Sequence, residues 1–225
     1  MGAAPPGDEG EGGTGGGTAP GRNGDAIGPG FRVLGERRVF EARVFSVSRL
    51  ELTDPDGHRF EREVVRHPGA VAVVAVGDDG AATVVRQLRT PLGATIVEVP
   101  AGTCDVEGED LESTARRELA EETGIRARRW ECLGAFYNSP GYSDQLTTLY
   151  LATDLEDHSA DAERAGPEER WMSVERLALD HVEALVSSGR LRDGTTVIGL
   201  LLARAALAER GGHHHQDAAR ADERG

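Results

Sequence analysis

From Phe31 the side chains alternate between apolar and polar through RRVFEARVFSVSRLEL, break at the turn DPDGH and resume in RFEREVV. A period of two, punctuated by Asp-Gly-type turns, predicts antiparallel strands, so residues 31–68 are expected to form a small N-terminal sheet. The pattern then changes. GAVAVVAV and AATVVRQLR are apolar with little alternation and flank the turn GDDG, which predicts a hairpin buried on both faces. TIVEVPAG adds a strand that ends at Pro100. Helical spacing runs from Leu111 to Glu122, with Asp110 before it as an N-cap and Gly124 after it as a left-handed stop. WECLGAFYN and LTTLYLATDL predict strands, and a polar loop spans Glu156 to Arg170. WMSVERLAL leads into more helix, and VIGLLLARAALAER has the spacing of a closing core helix. No repeat is visible; strands with intervening helices predict an α+β fold or a sandwich.

The two ends lack these patterns. Residues 1–30 are rich in Gly, Pro and Ala and nearly empty of large apolar side chains, so disorder is expected. Past Glu209, GGHHHQDAARADERG offers a Gly-Gly stop and then small or charged residues, so residues 209–225 are read as a second tail. His213, His214 and His215 lie in that tail, where nothing is expected to fix a metal site.

With 225 residues the chain can build one sizeable core, or one catalytic domain with an appended sheet. A net charge of −14 argues against nucleic acid as the main partner, although a metal ion can bridge an acidic protein to a small polyanion. No apolar run approaches the roughly 20 residues of a membrane span. The opening residues lack the basic start and apolar centre of a secretory signal, and a cytoplasmic chain is expected. Cys104 and Cys132 are read as reduced thiols rather than as a disulfide or metal pair.

The chemistry concentrates in GTCDVEGEDLESTARRELAEETGI, from Gly102 to Ile125. On a helix, Glu118 and Glu122 lie four apart and Glu121 three from Glu118, so one face carries several carboxylates within a turn. Each like-charged pair costs a few tenths of a kcal/mol, so such crowding points to a hard divalent cation, Mg²⁺ or Mn²⁺. The opposite face, Leu111, Ala115 and Leu119, is an apolar stripe able to anchor the helix on a sheet. A surface helix whose acids pair only with Arg116 and Arg117 is the competing interpretation.

Glu109, Arg117, Glu118, Leu119, Glu121, Glu122, Gly124 and Ile125 resemble in type and spacing the box of the Nudix hydrolase family. One departure is that Gly102 stands six residues before Glu109 instead of five. The resemblance implies a Nudix α/β/α sandwich over residues 69–208. It also implies that residues 31–68 are the dimerisation sheet found in the family's ADP-ribose pyrophosphatase branch. It makes Glu118 and Glu122 the principal metal ligands, with Glu121, Glu109 and the Ala101 carbonyl completing the site and Arg117 orienting the acids.

Segments outside the box are similar to the same branch. RQLRTPLGATIVEVPAG places Gln87, Arg89 and Glu98 near substrate, and NSPGYSDQ contributes Ser139, Pro140 and Gly141, which an ordinary turn would equally explain. Arg62 and Glu63 are candidates for an adenine-side pair donated across a homodimer. GPEERWM resembles the loop that supplies a catalytic glutamate in this branch, which implies Glu168, and after it Glu169, as the base. The implied reaction is hydrolysis of ADP-ribose to AMP and ribose 5-phosphate. Hydrolysis of another nucleoside diphosphate sugar or a dinucleotide, and a non-catalytic nucleotide sensor, stay open as alternatives.

Overall fold

The computed structural model of the chain describes residues 26–158, 162, 166–167 and 169–222, with side chains as far as residue 210. The N-terminal sheet has three antiparallel strands in the order β1 (Arg32–Glu41), β2 (Ser46–Thr53) and β3 (Arg59–Arg66). Its buried face is Val33, Leu50 and Leu52 packed with Phe60 and Val64. The DPDGH turn is held by Asp54, whose Oδ1 accepts the N–H groups of Asp56 and His58 at 3.0 and 2.8 Å.

The second sheet is built around β4 (Ala70–Val76), which is buried on both faces. Val71, Val73 and Ala75 point to one layer, where α1 (Leu111–Thr123) places Ala115 and Leu119. Ala72, Val74 and Val76 point to the other, where α2 (Val182–Ser187) and α3 (Gly194–Asp222) supply Val182, Leu200 and Ala203. Strict alternation on one central strand therefore produces a three-layer sandwich. Gly199 lets α3 approach closely, since a Cβ there would sit 3.0 Å from Val74 and 3.1 Å from Leu149.

The expected GDDG hairpin is real but short. β4 and β5 (Ala81–Arg89) pair only at Ala75–Thr83 and Val76–Ala82, then part. β6 (Ala94–Glu98) pairs antiparallel with β5, and β7 (Ala101–Thr103) pairs antiparallel with β4, so the two short strands enter the gap. The break between them falls at Pro100, which has no N–H to continue a ladder; its carbonyl instead accepts Val73 N–H at 2.8 Å. On the far side, β9 (Leu146–Asp157) runs parallel to β4 and pairs antiparallel with β8 (Ile125–Tyr137).

WMSVERLAL does lead into helix, but by way of a strand. Ser173–Ala178 is an edge strand, β10, paired antiparallel with β5 from Ser173–Arg86 to Ala178–Ala81, and helix begins only beyond it. Cross-strand pairing of Arg86 with Glu175 at 2.6 Å helps to hold this edge. At the C-terminus α3 continues past Gly211 and Gly212, where the sequence pattern places a stop. Each glycine costs a helix about 1 kcal/mol, no proline follows, and the run through Ala218, Ala219 and Ala221 favours propagation. Residues 1–25 lie outside the described residues. No helix among the described residues is long and apolar enough to cross a membrane.

The two sheets meet at Arg66. Its guanidinium donates to both oxygens of Glu36 on β1, at 3.0 and 3.1 Å, and to Asp144 Oδ2 at 3.0 Å. Val65 N–H donates to the Tyr142 carbonyl at 2.7 Å, fastening the 138–145 loop to β3. The Arg66 hydrogen bonds hold the Glu36 carboxyl below its ordinary pKa of 4.5, against partial burial. A depressed carboxyl contributes stability above the unfolded-state pKa, and that contribution is lost as pH falls through the folded-state value. Replacing Glu36 by Gln should therefore lower unfolding free energy by about 0.5–1 kcal/mol at neutral pH in urea titrations. The difference should vanish well below pH 4.5; an equal difference at every pH would contradict the ion-pair account.

Candidate active site

α1 starts where Asp110 Oδ1 accepts Ser113 N–H at 2.9 Å, and ends at Gly124 in the left-handed region with φ 69°. These caps set the rotation of the helix, and the apolar stripe fixes which face is buried: Ala115 and Leu119 are fully enclosed against β4. Glu118 and Glu122 consequently lie along the seam with β7, whereas Arg117 and Glu121 are half-buried at its outer rim.

Arg117 gathers three acids. Its Nε and Nη2 engage Glu109, Nη2 at 3.0 Å, and its Nη1 donates to Glu118 Oε1 at 2.7 Å and Glu121 Oε2 at 3.2 Å. The planar fork holds carboxylates that would otherwise repel one another. Glu109 is held below its ordinary pKa, first by Arg117 and also by Thr114, whose hydroxyl donates to it at 2.9 Å. Thr114 is buried and was not singled out from the sequence; its position five residues after Glu109 is the available signal.

Glu122 and Glu118 shift in the opposite direction to Glu109. Burial, then the charge of Glu118, pushes Glu122 up to about 8, although Ala101 N–H donates to its Oε2 at 3.2 Å. Glu118 is also raised, by burial, against the pull of Arg117. Gly102 makes room for it: a Cβ at that position would lie 1.9 Å from Glu118 Cδ. The extra residue between Gly102 and Glu109 is absorbed by Gly108, which has φ 81°.

The remaining predicted residues fall in three places. Arg89 donates through Nε to Glu98 at 2.8 and 3.1 Å, and its charge reaches Glu122. Glu98 is buried together with Gln87, and burial raises its pKa. Glu169 begins a short 3-10 turn, Glu169–Trp171, and its Oε2 accepts Gly166 N–H at 2.8 Å. The negative charge of Glu169 acts on both Glu118 and Glu122. Glu168 lies outside the described residues.

Ser139, Pro140 and Gly141 form a turn in which the Ser139 carbonyl accepts from Tyr142 and Ser143. Arg62 and Glu63 sit on β3 away from the acids; Arg62 covers the Phe60 ring and Glu63 pairs with Arg49. A cleft of about 490 Å³ lies between α1 and β8, lined by Arg116, Ala120, Arg126 and Trp130, and it shares Arg117 and Glu121 with the acid cluster.

The donor set fits a hard divalent cation: all oxygen, several carboxylates, two of them raised in pKa by burial and by neighbouring acids whose charge a cation would offset. Glu118 and Glu122 offer their carboxylates along one seam, beside the Ala101 and Gly102 backbone. Among the described residues, the three ligand groups already within 4.8 Å of one another are Asp54, Asp56 and His58 in the β2–β3 turn. There Asp54 is engaged in holding the turn backbone.

Residues 65–188 match the NUDIX domain. Over 169 residues the chain is 37% identical to the ADP-ribose pyrophosphatase of Bacillus subtilis (strain 168), spanning 75% of this chain and 90% of that protein. It is also 37% identical, with the same coverage, to the methanol dehydrogenase activator of Bacillus methanolicus. A crystal structure of an ADP compounds hydrolase superposes with a TM-score of 0.70 at 25% identity, covering 83% of this chain and 99% of that one. The acid-bearing helix lies inside the matched region, and the chain belongs to the NUDIX domain family.

Proposed function

We propose that the protein hydrolyses the diphosphate of ADP-ribose to AMP and ribose 5-phosphate, using Mg²⁺ held by Glu118, Glu122 and the Ala101 carbonyl. The observation that carries this is the Arg117 fork, which assembles Glu109, Glu118 and Glu121 beside the buried Glu122. A bound divalent ion neutralises phosphate charge and makes a water more acidic.

The chain's own residues do the rest. Arg117 keeps the acids oriented before substrate arrives, so little reorganisation accompanies reaction. Arg89, braced by Glu98 through Nε, has its terminal nitrogens for a phosphate oxygen. The 166–171 segment supplies the proton acceptor, Glu169 or the adjacent Glu168; Glu169 stands close enough for its charge to act on both ligand acids. The Ser139–Gly141 turn and Gln87 border the substrate.

A homodimer belongs to the same proposal. Val39, Phe40 and Phe45 are exposed on the β1–β2 hairpin, with the Phe40 and Phe45 rings 6.4 Å apart, an apolar patch that a second copy would bury. The free thiols of Cys104 and Cys132 suit the proposed cytoplasmic location.

Glu122→Gln keeps an acceptor for Ala101 N–H and removes the ability to ionise when a cation arrives. It should abolish Mg²⁺-dependent release of AMP from ADP-ribose without lowering the metal-free melting temperature. Gly102→Ala, which evicts Glu118 from its present position, should do the same to activity. Wild-type turnover in both would remove the metal site. Assays with GDP-mannose and a dinucleotide in place of ADP-ribose should give lower kcat/KM; a reversal would reassign the substrate.

Glu168→Gln and Glu169→Gln separate the proton acceptor from its neighbour: one of the two should lose about 10²–10⁴-fold in kcat. Small effects in both would place the base elsewhere. Light scattering should return twice the monomer mass for the wild type and the monomer mass for Phe40→Asp; a wild-type monomer would dismiss the dimer.

A further inference from the structure

The first turn of α3 is bonded to the strand break that feeds the acid site. Thr196 is 0% exposed. Its Oγ1 accepts Val99 N–H at 3.0 Å and donates its proton to Asp193 Oδ2 at 2.7 Å; the same oxygen accepts Thr196 N–H at 2.7 Å. With its proton committed to a carboxylate, the hydroxyl has a lone pair fixed toward Val99.

Three consecutive residues are thus each held by a different element. Val99 N–H is held by α3, the Pro100 carbonyl accepts Val73 N–H of β4 at 2.8 Å, and Ala101 N–H donates to Glu122 of α1 at 3.2 Å. The neighbouring Thr195 Oγ1 accepts from Asn138 Nδ2 at 3.1 Å, and Asn138 Oδ1 accepts the Thr147 hydroxyl at 2.6 Å, so the same turn of helix also braces the loop that carries Ser139.

Capping alone does not account for this arrangement. Asp193 satisfies a helix-start N–H by bonding Thr196 N. The buried hydroxyl adds a different service: it satisfies a backbone donor that lies just beyond β6, one residue before the proline break. Losing it would leave that donor buried and the Val99–Ala101 segment held on one side fewer.

We propose that Asp193 and Thr196 are positioning residues for the cation site: they set the Val99–Ala101 backbone and thereby the Ala101 carbonyl and the Glu122 carboxylate. The proposal rests on those two groups and Glu118 being the cation's ligands. It names two residues outside the Nudix box, on the opposite layer of the sandwich from α1.

The test is Mn²⁺ binding to the full chain without substrate, read by the electron paramagnetic resonance of free Mn²⁺, alongside steady-state kinetics. Thr196→Val should weaken Mn²⁺ binding by about tenfold or more, the scale seen when groups orienting metal ligands are removed. It should lower kcat with KM for ADP-ribose changed by less than about twofold. Thr196→Ser, which keeps the hydroxyl, should restore both. Leu50→Ala, in the separate core of the N-terminal sheet, should lower stability without moving Mn²⁺ affinity. If Thr196→Val does not fold, Asp193→Asn is read in its place and should shift Mn²⁺ affinity in the same direction. Wild-type Mn²⁺ affinity in the folded Thr196 or Asp193 variant, or an equal loss in Leu50→Ala, overturns the proposal. Identical Mn²⁺ binding by wild type and Glu122→Gln would instead strike the ligand assignment on which it rests.

Discussion

The site depends on one arginine between three carboxylates. Glu118, Glu121 and Glu122 within a single helical turn, with Glu109 alongside, would repel one another in an isolated helix. Arg117 touches Glu109, Glu118 and Glu121, and leaves Glu122 to be held by burial and by the Ala101 N–H. The consequence is a graded set of acids: Glu109 held low in pKa, Glu118 raised, Glu122 raised further. Glu109, just before α1, is favoured as the charged acid, and Glu122 on α1 is the acid that a nearby positive charge would most favour ionising.

The arrangement also depends on a sheet that splits. β4 and β5 part after two paired positions, and β6 and β7 occupy the gap with Pro100 between them. That break delivers the Ala101 backbone and the bare Gly102 to the side of α1 that carries Glu118 and Glu122. Because β4 is buried on both faces, α1 and α3 press on it from opposite sides and meet at the same few residues of the β6–β7 connection.

Much of this was legible in local sequence. α1 was bounded to within one residue because Asp110 and Gly124 act within its own first and last turns. The acid face was legible for the same reason, as was the small sheet, whose alternation is uninterrupted over β2. What escaped was non-local. The six residues of β10 have too short an alternation to outweigh the helical spacing that follows, and pairing with β5 some 90 positions earlier decides the matter (Arg86 and Glu175 are separated by 89 residues). The partial hairpin is set by β6 and β7 rather than by the GDDG turn. Thr196 gives no local sign of its role, since the backbone it holds lies 97 residues away.

Anomalous diffraction from crystals grown with Mn²⁺ tests the central claim most directly, because it locates the ion without relying on turnover. The account predicts a peak in contact with the Glu118 and Glu122 carboxylates and the Ala101 carbonyl. A peak confined to the Asp54, Asp56 and His58 turn, with Glu122 still bonded only to protein groups, would contradict it.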